Sequence, residues 1–119
     1  MKATITTMEP LIAPHPIAIV TTTVGSAADA ERLAHGAVQA QLAACVQVEA
    51  ITSHYVWDGQ MECSAEWRLV CKTLPAAVEA LWAWLQAAHP YAVPQLLLRT
   101  EHADPAYAAW VAEQVNAQK

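Results

Sequence analysis

Apolar and polar positions alternate at different periods along this chain, and each change of period marks an element. IAIVTTTV, residues 17–24, is β-branched and apolar on both parities, the pattern of a central strand covered on both faces. Gly25 breaks it. From Ser26 to about Ala43 the period lengthens. Ala30, Leu33, Ala34, Ala37, Val38 and Leu42 share one helical face, and Ser26 with Asp29 forms a capping-box-like start. Gly36 costs such a helix about 1 kcal/mol, which points to close packing against a neighbour.

Strand periodicity returns over residues 45–57, CVQVEAITSHYVW, with a bend or bulge expected near Thr52–Ser53. Asp58-Gly59 is a two-residue hairpin signal, and residues 60–73, QMECSAEWRLVCKT, lead back. In the returning strand Trp67, Leu69 and Cys71 alternate with Glu66, Arg68, Val70 and Lys72, so one face is apolar and the other mostly charged. Pro75 opens a second helix with a stripe of Val78, Leu81, Trp82 and Leu85, Trp84 pointing roughly the other way. His89-Pro90 stops it. Residues 95–100, QLLLRT, read as a fourth strand. Asp104-Pro105 caps a last helix over about 105–116, with Tyr107, Ala108, Val111, Ala112 and Val115 inward. Residues 1–16 read as an irregular lead-in with a short extended piece near Ala3–Thr7.

The order β-α-β-β-α-β-α predicts one α+β domain over residues 1–119, a ferredoxin-like βαββαβ sandwich with an added C-terminal helix. Right-handed crossovers place the two main helices on one sheet face and leave the other open. Composition sharpens this. Hydrophobic residues make up 55% of the chain and charged residues 14%, against a usual ~25% charged. So little charge coats a monomer poorly, which favours burial between copies.

The net charge is −5 with six Lys and Arg, and no basic cluster invites nucleic acid or an anionic membrane. The uncharged stretch from Pro10 to Ala28 is nearly long enough to span a bilayer, but Pro10, Pro14, Pro16 and Gly25 argue against a continuous membrane helix. Three cysteines, odd in number and without CxxC spacing, fit a reducing cytoplasm. The three glycines form no phosphate-binding loop, and no nucleophile–base pair can be placed, so the chain reads as a binding protein rather than an enzyme.

The motifs LAACVQV (42–48), YVWDG (55–59), CKT (71–73) and HPYAVPQ (89–95), with Tyr107 and Trp110 beyond them, resemble the CutA family of divalent cation tolerance proteins, in register over about residues 17–115. The resemblance implies a cytoplasmic homotrimer built much like signalling proteins of the PII type, linked to tolerance of copper and other divalent metals. Cu2+ or another divalent cation is then the candidate ligand, with no certain cofactor. The pattern is incomplete here. Thr22 stands where some bacterial relatives have a cysteine, Ala88 replaces one of two adjacent histidines, and Ala92 and Gln95 replace acidic residues.

His89 and Cys45 are thus the remaining candidate metal ligands. The plainer alternatives are a histidine that caps orphan helix carbonyls and a buried inert thiol. Cys63 and Cys71 lie eight residues apart on one strand, about 26 Å, too far to share a metal. A second reading is a PII-like sensor that binds a small effector between subunits. Its candidate cleft is Trp57, Glu66, Lys72 and Tyr91, with His89 beside it, because aromatics with a few polar groups suit a small ligand. A solvated charged sheet face and an interface anchor at Trp57 are the structural alternatives.

Overall fold

A computed structural model describes residues 15–115. Strand β1 spans Pro16–Val24, helix α1 Ala27–Gln39, β2 Cys45–Trp57, β3 Gln60–Thr73, α2 Val78–Ala88, β4 Leu97–His102 and α3 Pro105–Gln114. A 3-10 turn, Pro75–Ala77, leads into α2. The expected lead-in over residues 1–16 lies outside the described residues except for its end, and there Pro16 already belongs to β1.

The strands form one antiparallel sheet in the order β2-β3-β1-β4. That order with two helical crossovers is the ferredoxin-like topology expected. β1 is central, and its residues 17–24 are all buried, which accounts for its unbroken apolar and β-branched character. Its even positions Val20 and Val24 pack with Leu69 and Cys71 of β3 against Leu33 and Ala37 of α1 and Leu81 and Leu85 of α2. The odd positions Ile17 and Ile19 pack with Val111 and Val115. The second sheet face is therefore not wholly open, because α3 covers its end near Val70. Ala112, expected inward, is exposed.

Local chemistry explains the boundaries. Ser26 Oγ accepts the Asp29 N–H at 3.1 Å and caps α1, but the Asp29 carboxylate turns outward to Arg32 at 3.2 Å, so only half of the capping box forms. α1 ends four residues before the expected Ala43. Gln41 takes a left-handed φ of 61° there, and the N–H groups of Leu42 and Ala43 both turn back to the Ala37 carbonyl.

β2 and β3 pair without interruption from Cys45↔Lys72 to Trp57↔Gln60, so the bulge expected near Thr52–Ser53 is absent. Asp58 and Gly59, at φ 52° and 77°, close the ladder as a two-residue turn. β1 pairs only with Trp67–Thr73 of β3, leaving the hairpin beyond Ile51 and Glu66 as a two-stranded arm.

β4 starts two residues later than expected, at Leu97, set by its pairing from Thr21↔Leu97 to Pro16↔His102. Trp84 does not point away from the core. A Cβ added to Gly36 would lie 2.8 Å from its indole, so the missing side chain on α1 lets the ring fold in.

Candidate functional site

His89 stands where α2 gives way to Pro90. A residue before proline is pushed to extended geometry, and His89 adopts φ −71° and ψ 137° while its N–H still closes on the Leu85 carbonyl at 2.9 Å. Its ring is buried against the end of β1. The Tyr91 N–H donates to Nδ1 at 3.0 Å. A backbone N–H can only donate, so Nδ1 carries no proton and the neutral ring holds it on Nε2. Nε2–H then donates to the Thr23 carbonyl at 3.0 Å and lies 2.9 Å from Thr22 Oγ1. Burial lowers the His89 pKa below the ordinary histidine value, opposed by the bond to Thr23.

These partners decide the chemistry. The side chain does not cap helix carbonyls, as one expectation had it, but ties α2 to β1. Nε2 already bears a proton, so it cannot take one from the buried Thr22 hydroxyl, and the pair is not a nucleophile with its base. Neither ring nitrogen has a free lone pair for a metal. Cys45 is not nearby in the sheet either. It pairs with Lys72, whose face is opposite to that of Leu69 and Cys71, whereas His89 sits on Thr22, the partner of Leu69. Within one chain the two expected ligands lie on opposite faces, and this donor set does not fit a copper ion. Among the described residues no group of three or more His, Cys, Asp or Glu side chains is placed to hold a metal.

The expected cleft comes together in part. The Tyr91 hydroxyl donates to Glu66 Oε2 at 2.9 Å, and the His89 and Tyr91 rings lie 5.0 Å apart. Ser53 Oγ donates to the other carboxylate oxygen at 2.6 Å. Burial first, and then the bond to Glu66, push the Tyr91 phenol up to about 12. Gly25 leaves the needed room, since a Cβ there would stand 2.9 Å from the Tyr91 oxygen. Ser53, Thr22, Thr23 and Gly25 carried no signal of this role in sequence, being small residues 13 to 67 positions from their partners, in other strands or beside them.

Lys72 and Trp57 stand apart from this group. Each lies six rungs from Glu66 or its partner Ile51, in opposite directions, roughly 20 Å along the ladder. Lys72 Nζ lies 5.7 Å from the centre of the Tyr107 ring, and Trp57 is 69% exposed at the tip of the arm. On the helix-covered face an open depression of about 560 Å³ is lined by Glu31, His35, Val48, Ala50 and Trp67, and holds none of the expected site residues.

Residues 18–114 match the family of the CutA1 divalent ion tolerance protein. The chain belongs to the CutA1 family. Among its relatives is a protein CutA homolog of Xenopus laevis, 40% identical over 86 residues, 71% of this chain and 57% of the frog protein. The chain therefore spans little more than half of that relative. A divalent-cation tolerance protein CutA of Escherichia coli is 35% identical over 95 residues, 78% of this chain and 85% of its own length. The solved structure of CutA from Synechococcus elongatus is 36% identical and superposes with a TM-score of 0.85 over 89% of this chain and 96% of its own. Among the described residues no helix is long and apolar enough to cross a membrane.

Proposed function

We propose that this protein serves divalent-cation tolerance as a cytoplasmic homotrimer that works by binding rather than by catalysis. The observation that carries the reading is the match to the Escherichia coli tolerance protein along 85% of that protein's length. The free state of Cys45, Cys63 and Cys71 supports a reducing compartment. Exposed Val56, Trp57, Met61 and Leu97, at 57 to 73% exposure, support burial between copies. Expression in an Escherichia coli strain lacking its own CutA tests the function. Growth on copper or zinc salts should return toward the parental level, and growth no better than an empty vector rejects it. Light scattering should give three times the 12.9 kDa chain mass, and a stable monomer at micromolar concentration rejects the assembly.

A second reading is supported by the Glu66 carboxylate, held by Ser53 and Tyr91 at the base of the arm. With Trp57 supplied by another copy, it forms a cleft for a small polar effector, as the PII-like alternative requires. Thermal-shift screening against nucleotides and small anions tests it, because a ligand raises the melting temperature by mass action. A shift that survives Glu66→Ala would reject this cleft as the binding place. His89 is not expected to hold Cu2+, and calorimetric titration should show whatever weak Cu2+ affinity the protein has unchanged in His89→Ala.

A further inference from the structure

Tyr91 is held at two ends, and the two holds differ in chemistry. Its phenol donates to the Glu66 carboxylate at 2.9 Å, while its backbone N–H donates to His89 Nδ1 at 3.0 Å. Residues 90–96 lie between α2 and β4 in no helix or strand, and among the described residues no backbone–backbone hydrogen bond ties them down. The hold on the Tyr91 backbone is therefore the lone pair of one imidazole nitrogen. That nitrogen is also the only place where the ring can take up a proton, because Nε2 already carries one toward Thr23 and Thr22.

We infer that His89 is a proton-operated latch: a proton taken up at Nδ1 breaks the Tyr91 N–H contact, lets residues 90–96 shift and releases the Glu66 carboxylate from the Tyr91 phenol. With Nδ1 protonated, two N–H donors face one another across 3.0 Å, so an attraction becomes a repulsion. The other side of the ring is untouched, since Nε2–H donates to the Thr23 carbonyl in both states. The ring thus stays anchored on β1 and the disruption falls on the loop. Ser53 keeps its bond to the second carboxylate oxygen, so Glu66 stays in place as Tyr91 leaves. The groups around the ring set the pH of opening. Burial is the largest influence and holds the proton off until the pH falls below the ordinary histidine value of 6.5. The bond to Thr23 and the charge of Asp29 on α1 work against burial, and Arg32 on the same helix works with it. From β1 the ring meets only Thr22 and Thr23, neither of which titrates, and from β3 Glu66 stands behind the Tyr91 phenol. The latch is therefore shut at neutral pH and opens in the acid range. Its opening rests on these contacts alone, whereas entry of an effector beside the released carboxylate rests on the second reading above.

The test is a pH titration of the full chain by nuclear magnetic resonance, with isotope-labelled histidine and tyrosine rings. His89 should titrate below pH 6.5, and the Tyr91 ring signals, assigned with Tyr91→Phe, should move with the same midpoint while those of Tyr107 stay still. His89→Gln can accept the Tyr91 N–H and donate to Thr23 at every pH, so there Tyr91 should no longer respond to acid. Gly25→Ala places a methyl group 2.9 Å from the Tyr91 oxygen and should displace the phenol at neutral pH, with His89 still uncharged. The wild-type Tyr91 signals in acid should approach those of this variant. The amide of Val111, in the separate core under α3, reports whether the whole chain stays folded. Tyr91 signals that ignore the His89 midpoint, that respond to acid unchanged in His89→Gln, or that move only together with the Val111 amide overturn the proposal. An effector screen without hits would reject the cleft reading alone, because the shared midpoint needs no ligand.

Discussion

Thr22 and His89 meet 2.9 Å apart, Oγ1 to Nε2, although 67 positions separate them in the chain. Together with the Thr23 carbonyl they fasten the end of α2 to the central strand, with every polar atom of the imidazole satisfied. A buried neutral histidine of this kind has a consequence for pH. Between the unfolded value, 6.5, and the lower folded value, the unfolded chain binds a proton that the folded chain refuses. Stability therefore falls as pH drops through that window and levels off below it. Urea unfolding from pH 8 to pH 5 should show the decline, and His89→Gln should flatten it. His89→Ala should cost about 1–3 kcal/mol at neutral pH, from hydrogen-bond partners left buried. Identical pH dependence in the two proteins would remove His89 as its source.

Alkaline titration addresses Tyr91. Its phenol should deprotonate at about 12 when followed by ultraviolet absorption. Glu66→Gln should move this transition to lower pH, because the charge that opposes phenolate formation is gone, while burial keeps part of the elevation. Tyr91→Phe assigns the transition. A curve unaltered by Glu66→Gln would separate the two residues.

Gly36→Ala sets two effects in opposition. Alanine improves helix propensity by about 1 kcal/mol. Its Cβ, however, would stand 2.8 and 2.9 Å from two atoms of the rigid Trp84 ring. Overpacking of this sort costs about 1–3 kcal/mol, so the variant should unfold at lower denaturant concentration. Trp84 fluorescence should change with it. A stabilised variant would show that the ring yields freely.

The three thiols should react in order of access. Cys63 is exposed, Cys45 half-buried and Cys71 fully buried, its thiol pushed up to about 12 by burial and by neighbouring Cys45. A chromogenic disulfide reagent at pH 8 should label Cys63 at once and Cys71 only on unfolding, because the thiolate is the reacting species. Rapid loss of three thiols from the native protein would contradict this order.

The elements were legible where the chain carries strong punctuation. Asp58-Gly59 fixes the ends of β2 and β3, and Ser26 and Asp104 fix two helix starts. The end of α1 was not legible, since the left-handed residue is Gln41 rather than the glycine or asparagine that usually announces it. Trp84 escaped because its partner is an absent side chain on another helix. The site divides the same way. Strand parity correctly placed Glu66 and Lys72 on one face, but parity is silent about distance along a strand, and the two are far apart. Glu66 and Tyr91 do meet, through a turn geometry that spacing alone does not encode.

The sheet order also sets a schedule for synthesis. β1 is made first, yet its partners are β3 and β4, the latter reaching it through contacts such as Ala18↔Thr100. The β2–β3 hairpin closes locally and needs nothing downstream. One edge of the apolar strand IAIVTTTV, however, stays unpaired until β4 has been made. An unpaired β-branched segment without charge is a template for wrong strands. For each nascent copy, the interval before β4 emerges is therefore when holding chaperones matter most.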